Sequence, residues 1–168
     1  EPHYTAILEY FGFEREADEA GARLLADLAD GRDDIGRLEA LIRGRAVTVC
    51  GNAPCLSMEL DLIEGTVLAA DAAAEVLADH GIQPDAVFTD LDGATDAFID
   101  LSLRGTVMVV HAHGDNIPLL RHWVSRIPGP LVATTQAAPL PHVHNFGGFT
   151  DGDRAVFAAD ELGAASIR

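Results

Sequence analysis

The sequence contains no lysine; all eleven of its basic residues are arginine. With 27 acids against those 11 bases, the formal net charge is −16. No basic stripe is present to neutralise phosphates, so a nucleic-acid partner is disfavoured. Cysteine is nearly absent. Cys50 and Cys55 cannot make a disulfide framework, and two thiols do not fill a zinc site unaided. No apolar run is long enough to span a bilayer, and no signal-peptide pattern opens the chain. These absences lead to the expectation of a cytoplasmic protein with no membrane partner. The chain opens at Glu1 without Met, so a few residues are expected to have been lost before it.

What is present is acid, spread along the chain and not gathered in a tail. At molar salt the Debye length falls to about 3 Å, which screens self-repulsion on such a surface. Carboxylates also stay well hydrated there. The composition therefore reads as that of a halophile's cytoplasmic protein, the alternative being a mesophile of Ala- and Arg-heavy composition. Nearly half of the 168 residues are apolar, which suits one domain with a sizeable core.

The rhythm of the chain changes near residue 45. Before it, Ala17, Ala20, Leu24, Leu25 and Leu28 recur at three- and four-residue steps, predicting a helix over 14–29. Gly31 stops it, and Asp33-Asp34 start another through 41. Residues 1–44 thus read as an N-terminal helical cap or segment. After it, apolar runs at 46–50, 66–70, 86–89, 106–110 and 131–134 alternate with helix candidates at 57–63, 72–79, 95–103, 116–124 and 153–162. Strands buried on both faces give such unbroken runs. The alternation predicts an α/β fold, a Rossmann-like, doubly wound, mostly parallel sheet with right-handed crossovers over 45–168. Residues 165–168 look like a sixth strand cut short, so this domain is expected to be truncated at its C-terminus.

Ligands of open parallel sheets bind beyond the carboxyl ends of the strands. Polar residues collect at each such end here. Gly51-Asn52-Ala53-Pro54 follows the first strand and suits backbone contact with a phosphate, or an ordinary βα turn. Asp71 follows the second, as a ligand or as a helix cap. Thr89-Asp90-Leu91-Asp92-Gly93 follows the third. Its two carboxylates, one residue apart in a tight loop, can meet one hard cation such as Mg²⁺, or form a solvated acidic turn. His111-Ala112-His113-Gly114-Asp115-Asn116 follows the fourth. It suits nucleotide contact with Asp115 near the metal, or a zinc site shared with His142 and His144. Thr134-Thr135-Gln136 and 145–154 follow the fifth. There Gly147 and Gly148, Asp151, Asp153 and Arg154 form a polar loop in which Arg154 can clamp a phosphate. Asp151 also reads as a helix cap, and Arg154 as a surface ion pair. Together these residues suit metal-assisted phosphoryl chemistry better than acyl transfer, since no Ser sits at a strand-to-helix elbow.

At these motifs the chain resembles the archaeal 6-hydroxymethyl-7,8-dihydropterin diphosphokinase family. The opening Tyr4, Ile7-Leu8, Phe11-Gly12-Phe13, Arg15 and Asp18-Glu19 resembles that family's N-terminus, and Gly81-Ile82-Gln83-Pro84-Asp85 extends the likeness over nearly the whole chain. Asp71, 81–85 and Asp90-Leu91-Asp92 are more weakly similar to thiamin pyrophosphokinase. The resemblance implies a Rossmann-like catalytic domain, Mg²⁺ and ATP, AMP as co-product, and a place in tetrahydromethanopterin or folate-type cofactor synthesis. It implies Asp90 and Asp92 as metal ligands, with Asp71 and Asp115 in support. It further implies Asn52, His113, Asn116 and Gln136 as nucleotide or pterin contacts, and Asp151, Asp153 and Arg154 as a lid over the phosphates, with Gly51, Asn145, Gly147 and Gly148 in the binding loops. The chain departs from the family pattern at Ala72, usually Gly, at Cys55, usually Ser, and in ending before the usual C-terminal segment.

The expected reaction is attack of a hydroxymethyl oxygen on the β-phosphorus of ATP, with Asp115 or His113 as general base. Rival readings are a thiamin pyrophosphokinase, a nucleotide-sugar glycosyltransferase with a similar Gly51-Asn52-Ala53-Pro54 loop, and a non-catalytic nucleotide-binding module. The oligomeric state is left open, a homo-oligomer included.

Overall fold

Five strands of the expected sheet form where the apolar runs placed them: β1 (Ala46–Cys50), β2 (Thr66–Ala70), β3 (Ala86–Thr89), β4 (Val107–Ala112) and β5 (Leu131–Thr135). Two short strands, β6 (Val143–His144) and β7 (Ser166–Ile167), complete a sheet of order β6-β5-β4-β3-β2-β1-β7 in which every strand pairing is parallel. The computed structural model describes residues 2–12 and 14–168. Phe13, part of the N-terminal resemblance, lies outside the described residues.

The helices are α1 (Pro2–Phe11), α2 (Arg15–Ala29), α3 (Ile35–Ile42), α4 (Ala73–Asp79), α5 (Asp96–Leu103), α6 (Ile117–Trp123) and α7 (Asp151–Glu161). Where a helix was expected at 57–63, two 3₁₀ turns, Leu56–Met58 and Leu60–Leu62, take its place.

Strand side chains alternate between two faces, as the pleat requires. On one face Val67, Ala69, Val87, Met108, Val110 and Ala133 pack with Leu25 and Ala29 of α2, Leu77 of α4, Leu101 of α5 and Leu120 of α6. On the other, Val47, Leu68, Phe88, Val109 and Val132 pack with Leu38 and Ile42 of α3 and Ala155, Ala158 and Ala159 of α7. The sheet is therefore wound on both faces. The helices of 1–44 take part directly, since α2 and α3 contribute to the two cores.

β1 to β6 run in spatial order, so the chain reaches one edge of the sheet and must return. α7 makes that return across the second face and delivers β7 beside β1. Its small Ala155, Ala158 and Ala159 permit a close approach to the strands. This crossing brings the N-terminus of α7 to the carboxyl edge, where β2, β3 and β4 end.

Candidate active site

Asp71, Asp90 and Asp92 converge: each offers a carboxylate oxygen, and these oxygens all lie within 4.8 Å of one another. The backbone is bent to achieve it. Asp71 and Leu91 both adopt left-handed conformations, φ 47° and 73°, which cost a non-glycine residue about 1–2 kcal/mol each. Leu91 is 1 % exposed, and burying such a side chain returns about 1.5–3 kcal/mol. The inward Leu91 thus holds the loop so that Asp90 and Asp92 flank it. Asp71 N–H donates to Phe88 O at 2.8 Å, extending the β2–β3 pairing past the end of β2. Its side chain does not cap α4; the residue before that helix is Ala72, in ordinary helical geometry (φ −59°). Alanine in place of the family's usual glycine therefore strains nothing, because Asp71 is the residue that needs positive φ.

Thr89 fixes the cluster from below. Its hydroxyl donates to Asp71 Oδ1 at 2.6 Å and accepts from Leu91 N at 2.8 Å. Gly93 supplies space, since a Cβ there would overlap Asp71 Oδ2. The sequence pattern does not mark Thr89 or Gly93 as site residues, although both stand in the Thr89–Gly93 motif.

The three carboxyls differ electrostatically. Burial raises the pKa of Asp71, with Asp90 and Glu75 adding to it and Thr89 opposing. Burial also raises Asp92, followed by the charges of Asp90 and Asp71. Asp90 is pulled down to about 2, first by its hydrogen bond with His113, against burial. His113 Nε2 lies 3.5 Å from Asp90 Oδ2. Its Nδ1 accepts from Asp115 N–H at 3.3 Å, so the neutral ring carries its proton on Nε2, facing Asp90. Like charges held this close are the arrangement that a divalent cation relieves, and an all-oxygen set fits a hard ion.

Asn116 sits at the foot of this loop, 2 % exposed. Its Nδ2 donates to Asp90 O and His111 O at 2.8 and 2.7 Å, and its Oδ1 accepts from His113 N at 3.0 Å. All its polar atoms are thus committed to the backbone of the β3 and β4 loops. Asp115 is exposed and stands outside the carboxylate group. It lines a 250 Å³ cavity with His113, Glu14, Asp18 and Gln136.

Arg154 is buried, not a surface residue. Nη1 donates to Asp151 Oδ1 at 2.9 Å and Nη2 to Phe149 O at 2.7 Å. The cap of α7 is Thr150, whose hydroxyl accepts from Asp153 N–H while Asp153 Oδ2 accepts from Thr150 N–H. Asp151 therefore keeps its carboxylate for Arg154, and burial pushes it up to about 7 against that arginine's pull. Gly148, φ +88°, allows the preceding loop to pass beside Arg154 N, which a Cβ would approach to 2.7 Å. Gly147 is also left-handed (φ +83°), and Asn145 ties the loop together through Nδ2 to Ala137 O and Oδ1 from Gly147 N.

His111 is buried beneath Arg154 against β5, with Nδ1 3.0 Å from Thr134 Oγ1. That hydroxyl donates to Val110 O, so His111 Nδ1 carries the proton. Burial, followed by the charge of Arg154, depresses its pKa strongly. His142 and His144 both contact Asp33 instead, at 3.2 and 3.0 Å. His111 and His113 thus serve Thr134 and Asp90, while His142 and His144 share Asp33, and the four do not converge on one ion. Gly51 and Asn52 are exposed after β1. Gly51 lines a separate 240 Å³ cavity with the free thiols Cys50 and Cys55. A larger cavity of 610 Å³ opens beside α7, lined by Gln136, Asn145, Gly147, Gly148, Phe149 and Asp153 among others.

The class these features define is a parallel, doubly wound α/β protein with a carboxylate cluster at the sheet's carboxyl edge, overlooked by a buried arginine. Residues 22–168 match the family model described as 6-hydroxymethylpterin diphosphokinase MptE-like, and the chain belongs to that family. It is 44 % identical over 175 residues to the 6-hydroxymethyl-7,8-dihydropterin pyrophosphokinase of Pyrococcus furiosus, covering 99 % of this chain and 73 % of that protein. It is 40 % identical over 169 residues to the protein of the same name from Methanothermobacter thermautotrophicus, covering 98 % and 72 %. The Methanocaldococcus jannaschii protein of that name is 31 % identical over 178 residues, covering 98 % and 74 %. No helix among the described residues is long and apolar enough to cross a membrane.

Proposed function

We propose that this protein transfers the pyrophosphoryl group of ATP to 6-hydroxymethyl-7,8-dihydropterin, yielding the diphosphate and AMP, as a cytoplasmic enzyme of pterin cofactor synthesis in a salt-rich cell. The observation that carries this reading is the convergence of Asp71, Asp90 and Asp92 at the carboxyl edge of the sheet, in a chain of this family. Those three residues would hold Mg²⁺, which supplies charge neutralisation for the triphosphate when bound.

The protein's own groups do the positioning. In so acidic a chain a triphosphate is repelled unless the carboxylates are masked and a cation faces it. Arg154, anchored on Asp151 and the Phe149 carbonyl, is that cation. Its guanidinium is fixed before substrate arrives, so little ordering is lost on binding. His113 keeps Asp90 ionised, with its own Nδ1 occupied by the Asp115 amide. Asp115, whose side chain holds no partner among the described residues, is then the better placed of the two to accept the hydroxymethyl proton. Thr89, Gly93 and Asn116 hold the carboxylates in register.

The test is AMP formation from ATP with Mg²⁺ in molar KCl, with the dihydropterin and thiamin as alternative acceptors. Turnover with the dihydropterin alone is expected. Turnover with thiamin alone rejects the acceptor assignment, and glycosyl transfer without AMP rejects the reaction class.

A further inference from the structure

Among the described residues, every buried side-chain nitrogen and oxygen has a hydrogen-bond partner except two, His111 Nε2 and Arg154 Nε. Exceptions of this kind are rare in folded proteins and need a physical cause. These two are not scattered. Both residues line one cavity of 10 Å³, together with Phe88, Thr135, Phe146 and Gly147. His111 is 3 % exposed and Arg154 7 %.

The two atoms are of opposite kind. Arg154 Nε bears one hydrogen and can only donate. His111 holds its ring proton on Nδ1, toward Thr134, because the Thr134 hydroxyl donates to Val110 O. Nε2 therefore has a lone pair and can only accept. Burial, and then the charge of Arg154, keep the ring neutral. Gln136 acts on the same ring in the opposite sense, but it gives Nε2 no hydrogen bond. A donor and an acceptor thus border one cavity without reaching each other.

The size of the cavity decides what can join them. A buried water needs about 10–15 Å³ and two to four polar partners. A volume of 10 Å³ admits that and excludes a phosphate or a nucleobase. Thr135 supplies a third partner. Its hydroxyl accepts from Ala137 N–H at 3.1 Å and keeps its own proton to donate. A water that accepts from Arg154 Nε and Thr135 Oγ1 and donates to His111 Nε2 has the three bonds usual for an internal water.

We infer that one ordered water ties Arg154 Nε to His111, which makes His111 a positioning residue for the arginine that faces the triphosphate. The inference rests on the pyrophosphokinase reading above and names what orients its cation. Nη1 and Nη2 are already held by Asp151 and the Phe149 carbonyl. With Nε also held, the plane of the guanidinium is fixed as well as its place, and Nη1 and Nη2 each keep one N–H for an anion. His111 touches no phosphate and acts through the water and Arg154.

Two substitutions separate this role from mere packing. His111→Asn keeps a donor for Thr134 but is too short to replace Nε2. His111→Gln gives up the Thr134 bond and places Oε1 near the site of Nε2 as an acceptor. Asparagine should raise the KM for ATP about tenfold, the scale of one lost hydrogen bond to a charged group, with the KM for the dihydropterin within about twofold. Glutamine should keep both within about threefold of wild type. In isotope-labelled wild-type protein, Arg154 Nε–H, assigned by its loss in Arg154→Lys, should exchange slowly and show a cross-peak to a long-lived water. That spectrum decides alone if His111→Asn does not fold. An asparagine enzyme with the wild-type KM for ATP, a glutamine enzyme as impaired as the asparagine one, or an Arg154 Nε–H without a bound water overturns the inference while the function stands. Wild-type protein that shows the cross-peak but makes no AMP keeps the water and overturns the function.

Discussion

Gly93 and Asp71 occupy the same small volume: a methyl group on Gly93 would overlap Asp71 Oδ2. Gly93 has no positive φ among the strained positions, so space, not backbone freedom, is what its missing side chain provides. The displaced atom would be the end of a side chain, which can swing aside without unfolding the protein. Gly93→Ala should therefore retain the fold and melt within a few degrees of wild type. It should lose about a hundredfold in kcat, the scale of an ångström-level misplacement at a reacting centre. Circular dichroism with an AMP-release assay checks both halves. An alanine variant with wild-type turnover removes Asp71 from the site.

The raised pKa of Asp92, from burial and then from Asp90 and Asp71, means the ionised cluster strains the metal-free protein. Asp92→Asn should melt at or above the wild-type temperature in chelator. Wild type should gain stability as Mg²⁺ is added, in proportion to the logarithm of its concentration above Kd, and the variant should gain much less. Its turnover should fall by at least about 10²-fold. A variant that is as active as wild type, or as responsive to Mg²⁺, contradicts the assignment of Asp92.

Much of this was legible beforehand, and the exceptions have physical causes. β1 to β5 are buried on both faces, so their apolar runs announce them. β6 has two residues between Pro141 and the glycine loop, too short for any period to register. Helix α1 falls within the 1–44 segment that reads as helical, although the pattern places no separate helix at its start. For Asp71, position alone in Ala-Ala-Asp-Ala favours the cap; the left-handed φ overturns that reading, and φ is not written in the sequence. The start of α7 was recoverable, since Thr150 and Asp153 form the capping-box pattern that moves the helix start to Asp151.

Asp151 gives a pH dependence of definite sign. Its folded pKa is raised to about 7, chiefly by burial, against an ordinary value of about 3.9 in the unfolded chain. Between those values the folded state binds more protons than the unfolded state, so the contribution is full below the lower value and is lost as pH rises through about 7. Asp151→Asn mimics the protonated form and keeps an acceptor for Arg154. In chelator, its stability relative to wild type should grow from pH 5 to pH 7 and then level off. Urea melts at half-unit intervals measure this. A constant difference across that range would show that the Arg154 ion pair, not burial, governs the group.

Arg154 divides its two terminal nitrogens between Asp151 and the Phe149 carbonyl, a fork that one ammonium cannot reproduce. Arg154→Lys should lose about 1–3 kcal/mol of stability, the cost of leaving a buried acceptor unmet. It should also raise the KM for ATP more than that for the dihydropterin, since the arginine faces phosphate in the proposed reaction. Initial-rate kinetics with each substrate varied in turn separate the two. Equal changes in both constants would mean that Arg154 only braces the loop before α7.

A formal charge of −16 on 168 residues repels itself at low ionic strength, where the Debye length is about 10 Å at 0.1 M, and is screened when that length falls to about 3 Å at 1 M. Most of the acids have no cationic partner to lose, because only eleven arginines are available and Arg154 is already committed to Asp151. Screening should therefore stabilise far more than it weakens, and the thermal midpoint should climb steeply with KCl toward molar concentrations, with turnover following. Chloride salts of different cations at matched ionic strength should behave alike in the presence of fixed Mg²⁺. A midpoint that is flat or falls with KCl would mean that the acidity reflects composition alone, not adaptation to salt.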